Sequence, residues 1–166
     1  MTENNRQNDE QEDVSLYEKI IARTEELLES GRKNLDEALR RAGDELSTAG
    51  DFTREQAEKV STFVKRDIQH AVDGTAKSRA TVKGAVDPKR IAAGAQSIFS
   101  RILSNTAETL SDWAQKSEQN LEFKTGEVTS PGTLTCKNCG EVIHMKNTAK
   151  IPPCPKCHRT IYRKSY

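Results

Sequence analysis

The sequence predicts a mainly α protein in which an antiparallel, coiled-coil-like helical hairpin, or a three-helix arm, precedes a small β module. Leu, Ile, Val and Phe account for 31 of 166 residues, which is too few for a large compact core and suits long helices that bury one narrow stripe. Apolar residues recur at helical spacing through much of the first 123 residues,. All four cysteines lie between positions 136 and 157, where proline and glycine also become frequent.

Charge is unevenly distributed along the chain, although 26 basic residues nearly balance 25 acidic ones overall. Residues 1–13 hold one arginine against five acidic residues and offer little to bury, so they are predicted to be a disordered acidic tail. Residues 124–166 hold eight basic and two acidic residues, which makes the C-terminal part basic,. No apolar run reaches the roughly 18 residues of a membrane span, and the polar N-terminus carries no secretion signal. We therefore expect a cytoplasmic protein without membrane contact.

The first helix is predicted over residues 14–48. Positions that step alternately by three and four residues form an apolar stripe here, as is typical of coiled coils. The stripe consists of Val14, Tyr17, Ile21, Thr24, Leu28, Gly31, Leu35, Ala38 and Ala42. Gly31 costs about 1 kcal/mol of helix stability relative to alanine, and we interpret it as a point where a partner helix comes close.

A helix stop followed by a helix start is predicted around residues 49–56. Gly50 suits the left-handed cap that ends many helices,. Thr53 and Gln56 stand three residues apart, which is the spacing of a capping box in which each residue bonds to the backbone N–H of the other,. The second helix is then predicted over about residues 54–72, and so short a connection favours antiparallel packing against the first helix.

The third helix is predicted over residues 88–122. Asp87 and Pro88 supply a capping residue and a first-turn proline,. The glycine- and threonine-rich stretch 73–87 between the second and third helices is left open as either linker or helix. The helical domain thus covers residues 14–123, and because it buries its own stripe we expect its helices to persist without the C-terminal module.

The two cysteine pairs are the most specific feature of the sequence. Cys136 and Cys139 form one Cys-x-x-Cys motif, Cys154 and Cys157 form a second, and fourteen residues separate the pairs. Each motif makes a tight turn that points two sulfurs at one place. Two facing turns offer four thiolates in the tetrahedral arrangement that Zn²⁺ prefers. The pattern therefore predicts one structural zinc ion bound by four cysteines.

Residues around the cysteines complete this prediction. Gly140 follows the first pair and can adopt the backbone angles that the turn requires,. Short strands are predicted beside each pair, so the zinc ribbon covers residues 127–166. Four cysteine ligands leave no open position at the metal for activating water. Because no nucleophile, base and acid are grouped elsewhere, we expect a protein that is not an enzyme and has no small-molecule substrate.

Other roles for the cysteines stay open at this point. Rubredoxin-type iron uses the same ligand pattern, and the order of the domains resembles that of rubrerythrins, although the first pair lacks the flanking aromatic residues of a rubredoxin site. Disulfides would require an oxidising compartment. The motif Cys154-x-x-Cys157-His158 matches a c-type haem attachment site,, but haem would leave the other two cysteines without a role.

Two stretches of the chain carry a family resemblance. One is the sequence GDFTRE at residues 50–55, which runs on into VKRD at residues 64–67. The other is TGEV at residues 125–128 and GTLTC at residues 132–136, together with the second cysteine pair. With these features the chain resembles a bacterial family of uncharacterised zinc ribbon-containing proteins, built from an N-terminal helical region and a C-terminal ribbon. The resemblance covers roughly residues 14–165 and implies zinc binding through the four cysteines, but no activity.

The preferred function is a non-enzymatic adaptor that presents its zinc ribbon on a helical arm to a protein partner, or that associates with itself through the helices. The alternative is nucleic-acid binding, in which basic side chains contact phosphates and an aromatic ring stacks on bases. The candidate nucleic-acid contacts are Lys137, Lys156, Arg159, Tyr162, Arg163 and Lys164. A rubredoxin-like iron protein for electron transfer is the third and least favoured interpretation.

Overall fold

A computed structural model describes residues 3–31, 34–50, 52–81 and 122–165. These residues form three helices followed by a small antiparallel β region, which we call the ribbon. The helices are α1 (Glu3–Glu29), α2 (Leu35–Thr48) and α3 (Arg54–Thr81). The strands are β1 (Phe123–Lys124), β2 (Val128–Thr129), β3 (Gly132–Cys136), β4 (Val142–Met145), β5 (Ala149–Lys150) and β6 (Ile161–Ser165). No helix among the described residues is both long and apolar enough to cross a membrane.

The three helices form a bundle in which each helix packs against the other two. Its core includes the apolar stripe expected from the sequence, in which Tyr17 of α1 and Ala38 and Ala42 of α2 are fully buried. Val64 of α3 is fully buried in the same core. Gly43 of α2 lies against α3, since a Cβ placed there would come within 3.2 Å of the Ser61 hydroxyl. The close approach that we expected at Gly31 is therefore found at Gly43 instead.

The single helix predicted over residues 14–48 is wrong, because α1 and α2 are separate helices. Gly31 adopts a φ of 100°, a left-handed conformation that glycine reaches at little cost and that ends α1,. Asn34 then caps α2, with its Oδ1 accepting the N–H groups of Asp36 at 3.0 Å and Glu37 at 3.3 Å,. The break was not predictable from the apolar stripe, because the alternating spacing of three and four residues continues across the turn between the two helices.

The disordered tail predicted over residues 1–13 is also wrong, because α1 begins at Glu3. Asp13 is buried, and its Oδ2 lies 2.9 Å from the Lys150 ammonium of the ribbon and 3.7 Å from that of Lys59. Lys150 also donates to the carbonyl oxygen of Asp9 at 3.3 Å. Lys150, which contacts this segment, lies more than 130 residues further along the chain. The sequence around residues 1–13 therefore gives no indication of the contact.

The capping box predicted at the start of α3 is confirmed. The Thr53 hydroxyl accepts the Gln56 N–H at 3.2 Å, and the Gln56 Oε1 accepts the Thr53 N–H at 2.9 Å. The helix continues past the predicted end at residue 72 and includes residues 73–81, part of the stretch left open as linker or helix. Residues 82–87 and the helix predicted over 88–122 lie outside the described residues, except for Glu122, which is not helical.

The ribbon contains two antiparallel sheets. Strands β1, β6, β3 and β4 form a four-stranded sheet in that order, and β2 pairs with β5. The predicted helical domain 14–123 ends too late and the predicted ribbon 127–166 starts too late, because Phe123 already belongs to the sheet. Phe123 is paired with Tyr162 of β6 and is fully buried in the ribbon core. A single buried aromatic residue at the start of a two-residue strand leaves no periodic pattern from which this boundary is predictable.

Candidate metal centre

The four predicted cysteines converge at one end of the ribbon. Cys136 is the last residue of β3, and the second pair lies in the turn before β6. Their sulfurs all lie within 4.8 Å of one another. The Sγ of Cys136 is 3.6 Å from that of Cys157, and the Sγ of Cys139 is 3.6 Å from that of Cys154. Cys136 and Cys154 are buried in the ribbon core, whereas the other two cysteines are half-buried.

The two cysteine turns have the same backbone hydrogen bonds. In the first turn the Cys136 N–H donates to the Glu141 carbonyl at 2.8 Å, and the Gly140 N–H donates to the Cys136 carbonyl at 3.0 Å. In the second turn the Cys154 N–H donates to the Arg159 carbonyl at 3.0 Å, and the N–H of residue 158 donates to the Cys154 carbonyl at 2.9 Å. The two turns are thus equivalent, and each places both of its sulfurs on one side.

Backbone N–H groups also reach the sulfurs. A hydrogen bond from the Arg159 N–H stabilises the Cys157 thiolate and lowers the pKa of that thiol to about 6,. The Glu141 N–H lowers the pKa of Cys139 in the same way. The neighbouring thiols and burial raise this pKa by a larger amount, so that it reaches about 12. Four sulfurs this close cannot all be thiolates unless a cation balances them. The site is therefore chemically suited to a metal cation.

The donor set fits zinc. A tetrahedral zinc site with Zn–S bonds of about 2.3 Å has neighbouring sulfurs about 3.8 Å apart, close to the 3.6 Å found for two of the pairs. Four soft thiolates are the ligands of structural zinc sites. When bound, the ion would offset two of the four thiolate charges and join the two turns, and Cys136, Cys139, Cys154 and Cys157 would hold it,. With all four positions taken by cysteine, no position remains for water or substrate.

A family model described as a zinc-ribbon containing domain matches residues 22–165 of this chain. The chain belongs to this family. Uncharacterized protein YbeL of Escherichia coli K12 is 22% identical over 147 residues, which cover 87% of this chain and 90% of YbeL. The YbeL proteins of E. coli O6:H1 and O157:H7 match to the same extent. No solved structure matches the chain. The family and the cysteine cluster together support one structural zinc site.

Two of the predicted nucleic-acid contacts of this zinc-ribbon protein are inaccessible. Tyr162 is fully buried, and its hydroxyl donates to the Pro152 carbonyl at 2.9 Å. Burial, together with the nearby cysteine sulfurs, raises the pKa of Tyr162 to about 12. The Lys164 side chain is also buried and points towards the helices. Neither side chain can stack on a base or contact a phosphate while the ribbon is folded, so both assignments are corrected here.

The other four candidate contacts lie on the ribbon surface, and two of them have acidic neighbours. The ammonium of Lys137 lies 2.9 Å from the Glu122 carboxylate, and that of Lys156 lies 3.9 Å from the Glu141 carboxylate. Arg159 and Arg163 are exposed. The six residues therefore do not form one basic surface, and the charge available to a phosphate backbone is smaller than the sequence suggests.

The sequence interpretation missed a group of polar residues where the ribbon meets the helices. Arg66 and Asp67 of α3 are buried there with Thr129 and Ser130 of the ribbon. From the sequence alone, charged residues on a helix of mixed composition are expected to face solvent. The one available signal was that VKRD at residues 64–67 forms part of the family resemblance.

Proposed function

We propose that the protein is a non-enzymatic interaction protein whose ribbon binds a partner protein by adding a strand of that partner to β4. The observation that carries this proposal is the position of β4 at the end of the four-stranded sheet, where no described strand pairs with its outer side. An open strand edge offers backbone donors and acceptors to an extended segment of another protein.

The register of the sheet identifies which residues face outwards. The Cys136 N–H donates to the Glu141 carbonyl, so that pair is hydrogen-bonded, and such pairs alternate along an antiparallel ladder. The register pairs Val142 with Thr135 and His144 with Thr133. These two pairs are therefore non-hydrogen-bonded, and the backbone groups of Val142 and His144 point away from β3.

The side chains on β4 suit a protein partner. Val142 is 45% exposed and is, with Ile161, one of two large hydrophobic residues that the described part of the chain leaves exposed. In strand addition, backbone hydrogen bonds supply affinity and alternate side chains supply specificity. An exposed valine beside outward-pointing backbone groups provides both.

The chemistry of the metal centre supports a role without catalysis. Four thiolates close the coordination of zinc, so that the ion neither activates water nor binds substrate. Nucleic-acid binding is the weaker candidate, since Tyr162 and Lys164 are buried and two further lysines have acidic neighbours. Protein binding is therefore the function that the described surface favours.

A matched pair of variants tests strand addition at β4. His144→Pro removes an outward-pointing N–H without removing a bond to β3, because proline is tolerated at a free strand edge. His144→Ala removes the side chain, including its 3.2 Å contact with the Thr133 hydroxyl, and keeps the N–H. The three proteins are first shown to have equal zinc content and equal circular dichroism. Each is then cross-linked to its partners in a lysate of the source organism. The proteins captured by the wild type are compared with those captured by each variant.

Strand addition predicts partner proteins that the wild type and His144→Ala retain and His144→Pro loses. Equal retention by all three proteins contradicts the proposal. Nuclease treatment of the lysate separates the alternative, because loss of all retained material after that treatment would indicate nucleic-acid binding rather than protein binding.

A further inference from the structure

Asp67 of α3 lies at the centre of the contact between the helices and the ribbon. Its side chain is fully buried. The Asp67 Oδ2 accepts hydrogen bonds from the Tyr17 hydroxyl of α1 at 2.6 Å, the Ser130 N–H at 2.7 Å and the Thr129 hydroxyl at 2.9 Å. One carboxylate oxygen is thus shared by two helices and the ribbon.

Lys164 of β6 brings the opposite charge to the same place. Its side chain is fully buried, with Nζ 2.6 Å from the Ser130 hydroxyl, 2.8 Å from the Ser130 carbonyl and 2.8 Å from the Thr129 hydroxyl. The ammonium lies 3.5 Å from the Asp67 Oδ2. Burial of an ammonium is costly unless its donors and its charge are matched. Thr129 and Ser130 of the ribbon accept the hydrogen bonds of the ammonium, whereas its charge is matched by Asp67 only when the ribbon is docked on α3.

Arg66 of α3 lies beside Asp67 and contacts the ribbon directly. Its guanidinium pairs with Glu127 of the ribbon, lies 3.3 Å from the Asp67 Oδ1 and stacks 4.1 Å from the centre of the Phe123 ring. Val128 of β2 is fully buried and packs into the core of the helices. The ribbon therefore covers a face of α1 and α3 that includes both charged and apolar groups.

The position of Lys164 depends on the metal centre. Six of the described residues are buried in the ribbon core, and two of them, Cys136 and Cys154, belong to the candidate zinc site. A module of this size rarely folds without its metal. Strand β6 follows the second cysteine pair, and its Tyr162 pairs with Cys136 in the register of the sheet. Lys164 is two residues further on the same face of β6, so loss of the metal would remove the strand that holds it in place.

We propose that the contact between Asp67 and Lys164 couples the metal state of the ribbon to the helices, so that loss of the metal undocks the ribbon and uncovers a face of α1 and α3. This device goes beyond the proposed binding at β4. In the metal-bound form Tyr17 and Asp67 are covered by the ribbon. In the metal-free form water reaches Asp67, and the face around Tyr17, Arg66 and Asp67 becomes accessible. The helices then differ between the two states although none of them holds the metal.

Amide hydrogen exchange in the full chain, with and without a chelator, tests this coupling. Metal removal is expected to raise exchange in the ribbon and also in the parts of α1 and α3 around residues 13–24 and 60–71. The expected rise in these helical segments is about tenfold or more, which corresponds to about 1.4 kcal/mol of opening free energy. Residues 35–48 in α2 serve as the internal reference, where a smaller change is expected.

Lys164→Met tests whether the buried ion pair carries the coupling. The variant keeps all four cysteines and the length of the side chain but leaves Asp67 without its ammonium partner. It should still bind one zinc, should exchange faster in α3 when zinc is bound, and should respond less to the chelator than the wild type. Lys156→Met is the matched control, because Lys156 is exposed and lies 3.9 Å from Glu141 within the ribbon.

Two outcomes would overturn the proposal. One is unchanged exchange in α1 and α3 of the wild type after metal removal, which would show that the ribbon and helices are independent. The other is a Lys164→Met protein that behaves like Lys156→Met in both metal states. If Lys164→Met does not fold, Asp67→Asn repeats the test, because the amide keeps the shape and hydrogen-bonding oxygen of Asp67 and removes its charge.

Discussion

Gly140 and His158 occupy equivalent positions in the two cysteine turns, each being the residue after the second cysteine. Both have a positive φ, of 74° for Gly140 and 55° for His158. His158 is the one residue other than glycine with a positive φ in the described part of the chain. The left-handed conformation is thus a property of the turn geometry, and the second turn imposes it on a side chain that does not favour it.

This equivalence predicts different responses to substitution at the two positions. Gly140→Ala should destabilise the ribbon by about 1–2 kcal/mol, because alanine is strained at this φ. Apart from its two chain neighbours, a Cβ at residue 140 would meet no atom within 4 Å, so the cost comes from the backbone conformation. His158→Gly relieves the same strain but increases the entropy of the unfolded chain, so its effect should stay within about 1 kcal/mol of zero.

Zinc release in competition with a chelator measures both effects, since folding and metal binding are coupled in such a module. Gly140→Ala should release zinc more readily than the wild type, and His158→Gly should not. Equal effects of the two substitutions would show that the turns are not equivalent in solution.

Tyr162 is predicted to act through the ribbon core. Tyr162→Ala removes a fully buried ring and should cost about 3–5 kcal/mol. Tyr162→Phe keeps the ring and removes the hydrogen bond to Pro152, which should cost about 1 kcal/mol. Thermal unfolding of the zinc-bound protein measures both. A stable, zinc-bound Tyr162→Ala protein would contradict the buried position and restore this residue as a candidate surface contact.

Features that depend on neighbouring residues were predictable from the sequence. The cysteine pairs form their own turns, and Thr53 and Gln56 form a capping box within one helical turn, so the local pattern contains all the necessary information. The stripe of apolar residues likewise identified the buried face of α1 and α2. These features placed the metal ligands and most of the helical core.

Features that depend on distant residues were not predictable in this way. Asp13 and Lys150 are far apart in sequence, and so are Asp67 and Lys164. Each residue looks like an ordinary solvated charge when only its neighbours are considered, and the same composition is typical of a disordered tail or an exposed helix face. Pairing across the fold changes a solvated charge into a buried one, and only the three-dimensional arrangement shows that pairing.

The contact between Asp13 and Lys150 is predicted to hold the N-terminal part of α1 against the ribbon. The Asp13 side chain is 9% exposed and the Lys150 side chain 19%. A double-mutant cycle with Asp13→Asn and Lys150→Met should therefore give a coupling energy of about 1 kcal/mol in chemical unfolding. The exposed pair of Asp36 and Lys65, which joins α2 to α3, is the control and should give less than about 0.5 kcal/mol. Equal coupling in the two pairs would contradict this assignment.

Lys164 should make stability depend on pH in the alkaline range. Burial disfavours its ammonium form and, although Asp67 opposes this, lowers the pKa of Lys164 to about 8. In the unfolded chain the pKa of a lysine is about 10.4. Between these values the unfolded state binds more protons than the native state, so stability rises with pH there, by at most about 1.4 kcal/mol per pH unit for one group. Below pH 8 both states are protonated and the contribution stays constant. The zinc-bound thiolates give all variants a shared rise in stability with pH, because metal binding releases thiol protons. Chemical unfolding of the zinc-bound protein from pH 7 to about 9.5 should therefore show a steeper positive slope for the wild type and Lys156→Met than for Lys164→Met. Identical pH profiles for the wild type and Lys164→Met would mean that the Lys164 ammonium is solvated and that the ribbon does not cover Asp67.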